Sequence, residues 1–167
     1  GAGRLKNCYL VFFADLTEDS SYCDTVGYVK NSFDCYMAYE SEHCYECVNI
    51  RKCYRAFYSS DCEDSYDIYF SKNLVGCSNC FSCTNLRNKN YCIENVQYEK
   101  EEYNKKIAEL TDFSHNETEN ILRETYEASL KYSQKCIHGK QNTEVTGDYV
   151  SNSKNSKTIY QSNGIED

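Results

Sequence analysis

Cys44-Tyr45-Glu46-Cys47-Val48-Asn49-Ile50-Arg51-Lys52-Cys53-Tyr54-Arg55-Ala56 decides the fold. Positions 44, 47, 50, 53 and 56 are all small or aliphatic. Extended outward in steps of three, the same column runs without a break from Leu5 to Leu86. No charged residue, aromatic ring, Asn, Gln or Gly enters it. It includes Cys8, Cys23, Cys35, Cys62, Cys77, Cys80 and Cys83; Cys92 keeps the phase and Cys136 does not. The column one residue later is aromatic, with Tyr9, Phe12, Phe33, Tyr36, Tyr45, Tyr54, Phe57, Tyr66 and Tyr69. The column one residue earlier is rich in Asn and Asp, among them Asn7, Asp19, Asn31, Asp61, Asp64, Asp67 and Asn73.

A helix repeats every 3.6 residues and a plain strand every 2, so neither holds this phase over such a span. A chain that turns a corner every few residues holds it, placing one compact side chain inward per short side. Asn and Asp just before the inward residue suit corners, because they tolerate left-handed backbone and bond locally. The expectation is a mainly β chain, a short β-solenoid followed by a helical hairpin. Lys30-Asn31, Arg51-Lys52 and Lys72-Asn73 recur at a spacing of 21 residues. That spacing predicts about four coils of seven triplets, with Phe12 over Phe33 over Tyr54 and Tyr45 over Tyr66.

The repeat register predicts a solenoid over 1–96. Residues 98–110 are strong helix formers. Ser114 with Glu117 forms a capping-box pattern ahead of a helix from about His115 to Gln134. Thr111–Asn116 is the expected loop, and Ile121, Leu122, Tyr126, Leu130 and Tyr132 are the apolar stripe of the second helix. The hairpin, 97–136, is expected to cover the last open coil edge. Residues 137–148 read as a linker. Val150, Ser153, Ser156, Ile159, Ser162 and Ile165 restart the register, so 149–167 is expected to begin a second, truncated block.

Asn7–Phe12, Cys44–Cys47, Cys77–Lys89 and Tyr98–Tyr103 carry a resemblance over most of residues 6–105. The chain resembles a family of Cys- and Tyr-rich repeat-solenoid proteins common in metagenomic sequences of uncultivated small-genome bacteria. In that family a repeat block follows zinc-ribbon-like Cys pairs. Those pairs are missing here, and the opening Gly1-Ala2-Gly3 without Met fits a scar or a cut from a longer protein. The resemblance implies a repeat fold and no particular activity.

A net charge of −8 and no basic run disfavour nucleic-acid binding. No apolar run is long enough for a membrane helix, so no membrane partner is expected. A cytoplasmic location is the expectation. The chain has 12 Cys, and CxxC at Cys44/Cys47 and CxxCxxC at Cys77/Cys80/Cys83 have zinc or iron–sulfur spacing. A period-three inward column also makes CxxC automatically. Buried thiols without a cofactor are the first reading. A zinc or iron–sulfur site at Cys77, Cys80, Cys83 and Cys92, or disulfides across coils, are the alternatives.

His43, His115 and His138 are scattered and read as solvated. Asp64 with Asp67, or Asp61 with Glu40, are candidate carboxylate pairs for a glycan-binding or glycan-active protein. No catalytic residue is assigned. The aromatic column, at Phe12, Phe33, Tyr36, Tyr45, Tyr54, Phe57, Tyr66 and Tyr69, is read either as ladders that stabilise the stack or as a binding surface. The functional expectation is a non-enzymatic structural or protein-interaction scaffold that takes a protein partner or self-assembles. A metal or thiol-redox module and a glycan-active protein are the alternatives.

Overall fold

The computed structural model describes residues 3–110, 114–135 and 138–166. Cys136 and residues 111–113 of the expected loop lie outside them. The chain is mainly β with two helices and divides into two compact units, Gly1–Tyr132 and Ser133–Asp167.

The first unit begins β1 (Leu5–Lys6), β2 (Tyr9–Asp15), β3 (Thr17–Glu18), β4 (Ser21–Gly27), β5 (Tyr36–Tyr39), β6 (Glu42–Tyr45) and β7 (Val48–Arg51). It continues β8 (Tyr54–Phe57), β9 (Ser60–Glu63), β10 (Tyr66–Tyr69), β11 (Ser78–Phe81), β12 (Asn90–Ile93) and β13 (Val96–Gln97). The helices α1 (Lys100–Leu110) and α2 (His115–Ser129) follow. From β5 to β10 consecutive strands alternate between two sheets, ordered β2-β4-β5-β7-β9 and β13-β12-β11-β10-β8-β6.

Every parallel pair of this unit joins residues 12 apart: Tyr9 with Ser21, Tyr36 with Val48, Tyr54 with Tyr66, Ser78 with Asn90. The spacing of 21 therefore does not set the ladder. Phe12 lies beside Asp24 rather than Phe33, and Tyr45 beside Phe57 rather than Tyr66. The reason is in the corners. From Asn7 to Glu94 every third residue has a φ between 45° and 63°. Four such corners separate each residue from its ladder partner 12 positions on, while seven separate residues 21 apart. A spacing of 21 keeps the triplet phase but not the fourfold one.

A left-handed residue with a Cβ costs roughly 1–2 kcal/mol, least for Asn and Asp. Asn and Asp hold many corners, but Leu10, Phe13, Leu16, Tyr22 and Thr25 hold others. The cost at those positions is offset by the ladder hydrogen bonds on each side. Asn7 donates to Asp19 at 2.8 Å and Asn49 to Asp61 at 2.7 Å, so some corner side chains also bond along the stack.

The inward column is buried at every third position from Ala14 to Cys83. Its polarity has a specific use. The hydroxyls of Ser20, Ser32, Ser41, Ser59, Ser65 and Ser71 each accept the N–H of the residue 12 positions on, at 3.1–3.2 Å. Each also donates to the carbonyl two residues back, at 2.8–2.9 Å. The Cys83 sulfur likewise accepts the Asn95 N–H at 3.4 Å. These Ser hydroxyls, and the Cys83 sulfur, thus satisfy backbone donors that face the dry interior, which is why a small apolar residue does not serve equally at those sites.

The free edge of β12 pairs antiparallel with β13 rather than with a helix. Glu94 and Asn95 both have positive φ, as a two-residue hairpin turn requires. The Asn95 side chain completes the edge, accepting from Thr84 N–H at 2.8 Å and donating to the Thr84 carbonyl at 2.9 Å. α1 packs beside β12, with Tyr103 against Ile93 and 5.6 Å from Tyr91, and α2 reaches the aromatic flank through Thr125 and Ile121. The capping box of Ser114 and Glu117 forms as the sequence predicts.

The second unit is a parallel sheet of β14 (Gly139–Lys140), β15 (Gly147–Ser151) and β16 (Ile159–Asn163). β14 lies inside the stretch read as a linker. Val150, Ser153 and Ser156 are buried, in steps of three. The offset is 11 residues between β14 and β15 and 12 between β15 and β16.

Candidate functional surface

The ladder offset of 12 sorts the eight expected surface residues onto different columns. Phe33, Tyr45, Phe57 and Tyr69 form one continuous column that runs on to Phe81. Tyr54 and Tyr66 form a second. Phe12 and Tyr36 share a third, with Asp24 between them. Phe12, Phe33, Tyr54 and Tyr66 are exposed; Tyr36, Tyr45, Phe57 and Tyr69 are half-buried.

Sequence reasoning missed the aromatic rings in the corner column. Tyr58 and Phe70 stack at 5.0 Å with planes 4° apart, beside Phe57 and Tyr69 at 5.4 Å and 8°. The spacing of 12 between Tyr58 and Phe70 is the signal in the sequence that points to them. The two columns merge into one stripe. Toward the C-terminal end the stripe is covered: Phe70, Phe81, Ile93 and Tyr103 form a second core with Tyr58, Tyr69, Ile107 and Ile121 around it. Ser82 and Thr125 share a hydrogen bond of 2.7 Å, tying α2 to the stripe. Burial pushes the Tyr103 phenol well above its ordinary value. Part of the aromatic column is therefore a docking site for the chain's own helices.

The cysteines lie inside. All eleven described cysteines are free, and all but Cys8 are buried. Cys77, Cys80, Cys83 and Cys92 sit on three inward columns; Cys80 stacks directly on Cys92. The Cys80 thiol is held protonated first by its hydrogen bond with Cys83 and then by burial. Burial pushes the Cys44 thiol up to about 12 and the Cys53 thiol up to about 11. A protonated thiol is a poor metal ligand and a poor nucleophile. Among the described residues no group of three or more His, Cys, Asp or Glu is arranged to hold a metal ion.

The carboxylate pairs do not converge. Asp61 and Glu40 were paired on the spacing of 21; with a return of 12, Asp61 lies in the corner column of Asn49 and Asn73, and Glu40 in that of Lys52 and Asp64. Asp64 and Asp67 occupy consecutive corners, about 10 Å of extended chain apart. Asp67 is engaged by Arg55 at 2.5 Å. His43 lies 5.5 Å from the Tyr54 ring and 3.4 Å from Glu42, His115 is 3.5 Å from Glu119, and His138 is 3.0 Å from Asp148. A shallow groove near the start of the chain is lined by Arg4, Lys6, Tyr28 and Lys30. Glu18 forms ion pairs with both Lys6 and Lys30 there. Among the described residues no helix is long and apolar enough to cross a membrane. No protein-family model matches the chain, and no curated protein resembles it significantly.

Proposed function

We propose that the first unit is a four-sided β-solenoid of twelve-residue coils serving as a non-enzymatic scaffold, binding a protein partner or a second copy of itself. The observation that carries this is the aromatic stripe: an outward ladder that already binds helices at one end and stays open at the other. The constant offset and the periodic left-handed corners support the solenoid geometry. The raised, packed thiols of Cys44, Cys53 and Cys80 support Cys as a compact filler rather than a ligand set. Free thiols in this number favour a reducing, cytoplasmic compartment. The resemblance to Cys- and Tyr-rich repeat proteins belongs to the same proposal. Neither nucleic acid nor membrane is a partner in this reading.

The test is a thermal melt by circular dichroism before and after exhaustive chelation, with elemental analysis of anaerobically purified protein. The expected result is an unchanged melt and no stoichiometric zinc or iron. Loss of folding on chelation would replace the scaffold with a metal module built on Cys77, Cys80, Cys83 and Cys92.

A further inference from the structure

Each unit carries the same ion-pair pattern. In the first, Lys6, Glu18, Lys30 and Glu42 are ladder neighbours in that order. Glu18 binds Lys6 and, at 3.7 Å, Lys30. In the second, Lys154 and Glu166 are ladder neighbours 3.4 Å apart. The sign alternates at every step of 12. β1 and β2 each end their sheets, and β16 ends its own.

The two edges are opposite in hydrogen bonding. A residue just after the inward position sends its N–H forward, as Glu18 does to the Val29 carbonyl and Lys154 to that of Ile165. A corner residue sends its N–H backward, as Asp19 does to the Lys6 carbonyl and Asn155 to that of Thr143. The outer edge of residues 3–14 therefore presents the N–H groups of Asn7, Leu10 and Phe13 with the inward carbonyls of Cys8 and Val11. The outer edge of residues 155–166 presents the N–H and carbonyl of Lys157 and Tyr160. In a parallel ladder these two sets are each other's partners.

We propose that copies of this chain stack head to tail, residues 155–166 of one extending the ladder onto residues 3–14 of the next. This rests on the scaffold reading and supplies its partner. Corners at Asn155, Thr158, Gln161 and Gly164 keep the same three-residue phase as Asn7, Leu10, Phe13 and Leu16. Of the four triplet registers that this phase allows, one alone sets Glu166 beside Lys6. Arg4 and Lys6 are the only charged residues of 3–14, and Glu166 is the only acidic one of 155–166. The column then reads Lys154, Glu166, Lys6, Glu18, with no like-charge step. The same register lays Tyr160, 64% exposed, beside Phe12, 55% exposed, and sets Ile165 on Leu5 and Ile159 on Val11. The Ser156 hydroxyl meets the Cys8 N–H as that of Ser32 meets the Cys44 N–H at 3.1 Å. Such a contact joins two different surfaces, so growth does not close on a two-fold dimer.

Sedimentation velocity of the full chain over about 1–100 μM reads the assembly. The expected result is a weight-average coefficient that rises with concentration. Lys6→Glu and Glu166→Lys each put like charges at the contact and weaken it about tenfold; both side chains are exposed. Mixed in equal amounts, the two variants alternate, opposite charges meet at every contact, and the assembly returns. Tyr160→Pro removes an N–H that faces the open edge and spares the pairing with β15, so it abolishes assembly while circular dichroism shows the fold unchanged. A monomer throughout, an assembly that survives Tyr160→Pro, or a mixture no more associated than its two components overturns the proposal. Any of these with a melt unchanged by chelation leaves the scaffold reading in place.

Discussion

Replacing Ser71 by Ala, Val and Cys separates hydrogen bonding from packing in the interior. Ser71 is 2% exposed; its hydroxyl accepts the Cys83 N–H at 3.1 Å and donates to the Tyr69 carbonyl at 2.8 Å. In Ser71→Ala the Cys83 N–H is left unpaired in a dry interior, at roughly 1–3 kcal/mol. The Tyr69 carbonyl still receives the Ser82 N–H at 3.0 Å, so its loss adds only about 0.5–1 kcal/mol. The sum is about 1.5–4 kcal/mol, a visible part of a domain stability of roughly 5–15 kcal/mol. Ser71→Val fills the space yet leaves the same orphan, so it does no better than Ala. Ser71→Cys keeps an acceptor, as Cys83 does for Asn95, and costs less than about 1 kcal/mol. Urea unfolding under reducing conditions gives the stabilities, and hydrogen exchange at the Cys83 amide reports the local bond. Val more stable than Cys, or Ala within about 0.5 kcal/mol of the wild type, would refute the idea that Ser and Cys are chosen as backbone acceptors.

Three further outcomes follow from particular residues. Cys53 ionises only near pH 11 in the folded chain, against 9.0 for an ordinary thiol. The unfolded chain therefore loses that proton first, and stability falls as pH rises from 9 to 11, by roughly 2–3 kcal/mol for this thiol alone; a urea series at pH 8, 9, 10 and 11 checks the slope, and a flat profile counts against the buried thiol. Thr25 is β-branched and sits at φ 56°, so Thr25→Asn raises stability by about 1 kcal/mol, read as a higher unfolding midpoint. Asn95→Ala removes both Thr84 bonds and places Ala at φ 66°, costing about 2–3 kcal/mol, with faster amide exchange at Thr84 as the local readout.

The difference between 21 and 12 shows where sequence reasoning stops. Echoes such as Lys30-Asn31 and Lys72-Asn73 share the triplet phase, and any multiple of three preserves it. What separates the multiples is the turn made at each corner, a property of backbone rather than of residue type. The same gap explains Tyr58 and Phe70, which sit in the Asn/Asp column yet stack as aromatic neighbours. It explains Asp61 and Glu40 as well, a pair that the wrong repeat put together. The helices were placed by local signals, the capping box of Ser114 and Glu117 above all. Their docking surface was not, because Tyr103 and Ile121 meet Phe70 and Phe81 only after the chain has stacked.

The order of the side chains alone decided that one residue in three points inward and must be compact, because a narrow interior excludes volume whatever the path of the chain around it. It also marked the corner column through its many Asn and Asp, which bear left-handed backbone at least cost. Only the tertiary structure decided the ladder offset of 12, and with it which rings stack, which carboxylates part and which thiols meet. Those are relations between residues 12 apart that share no local signal; they exist once the ladder has brought them side by side.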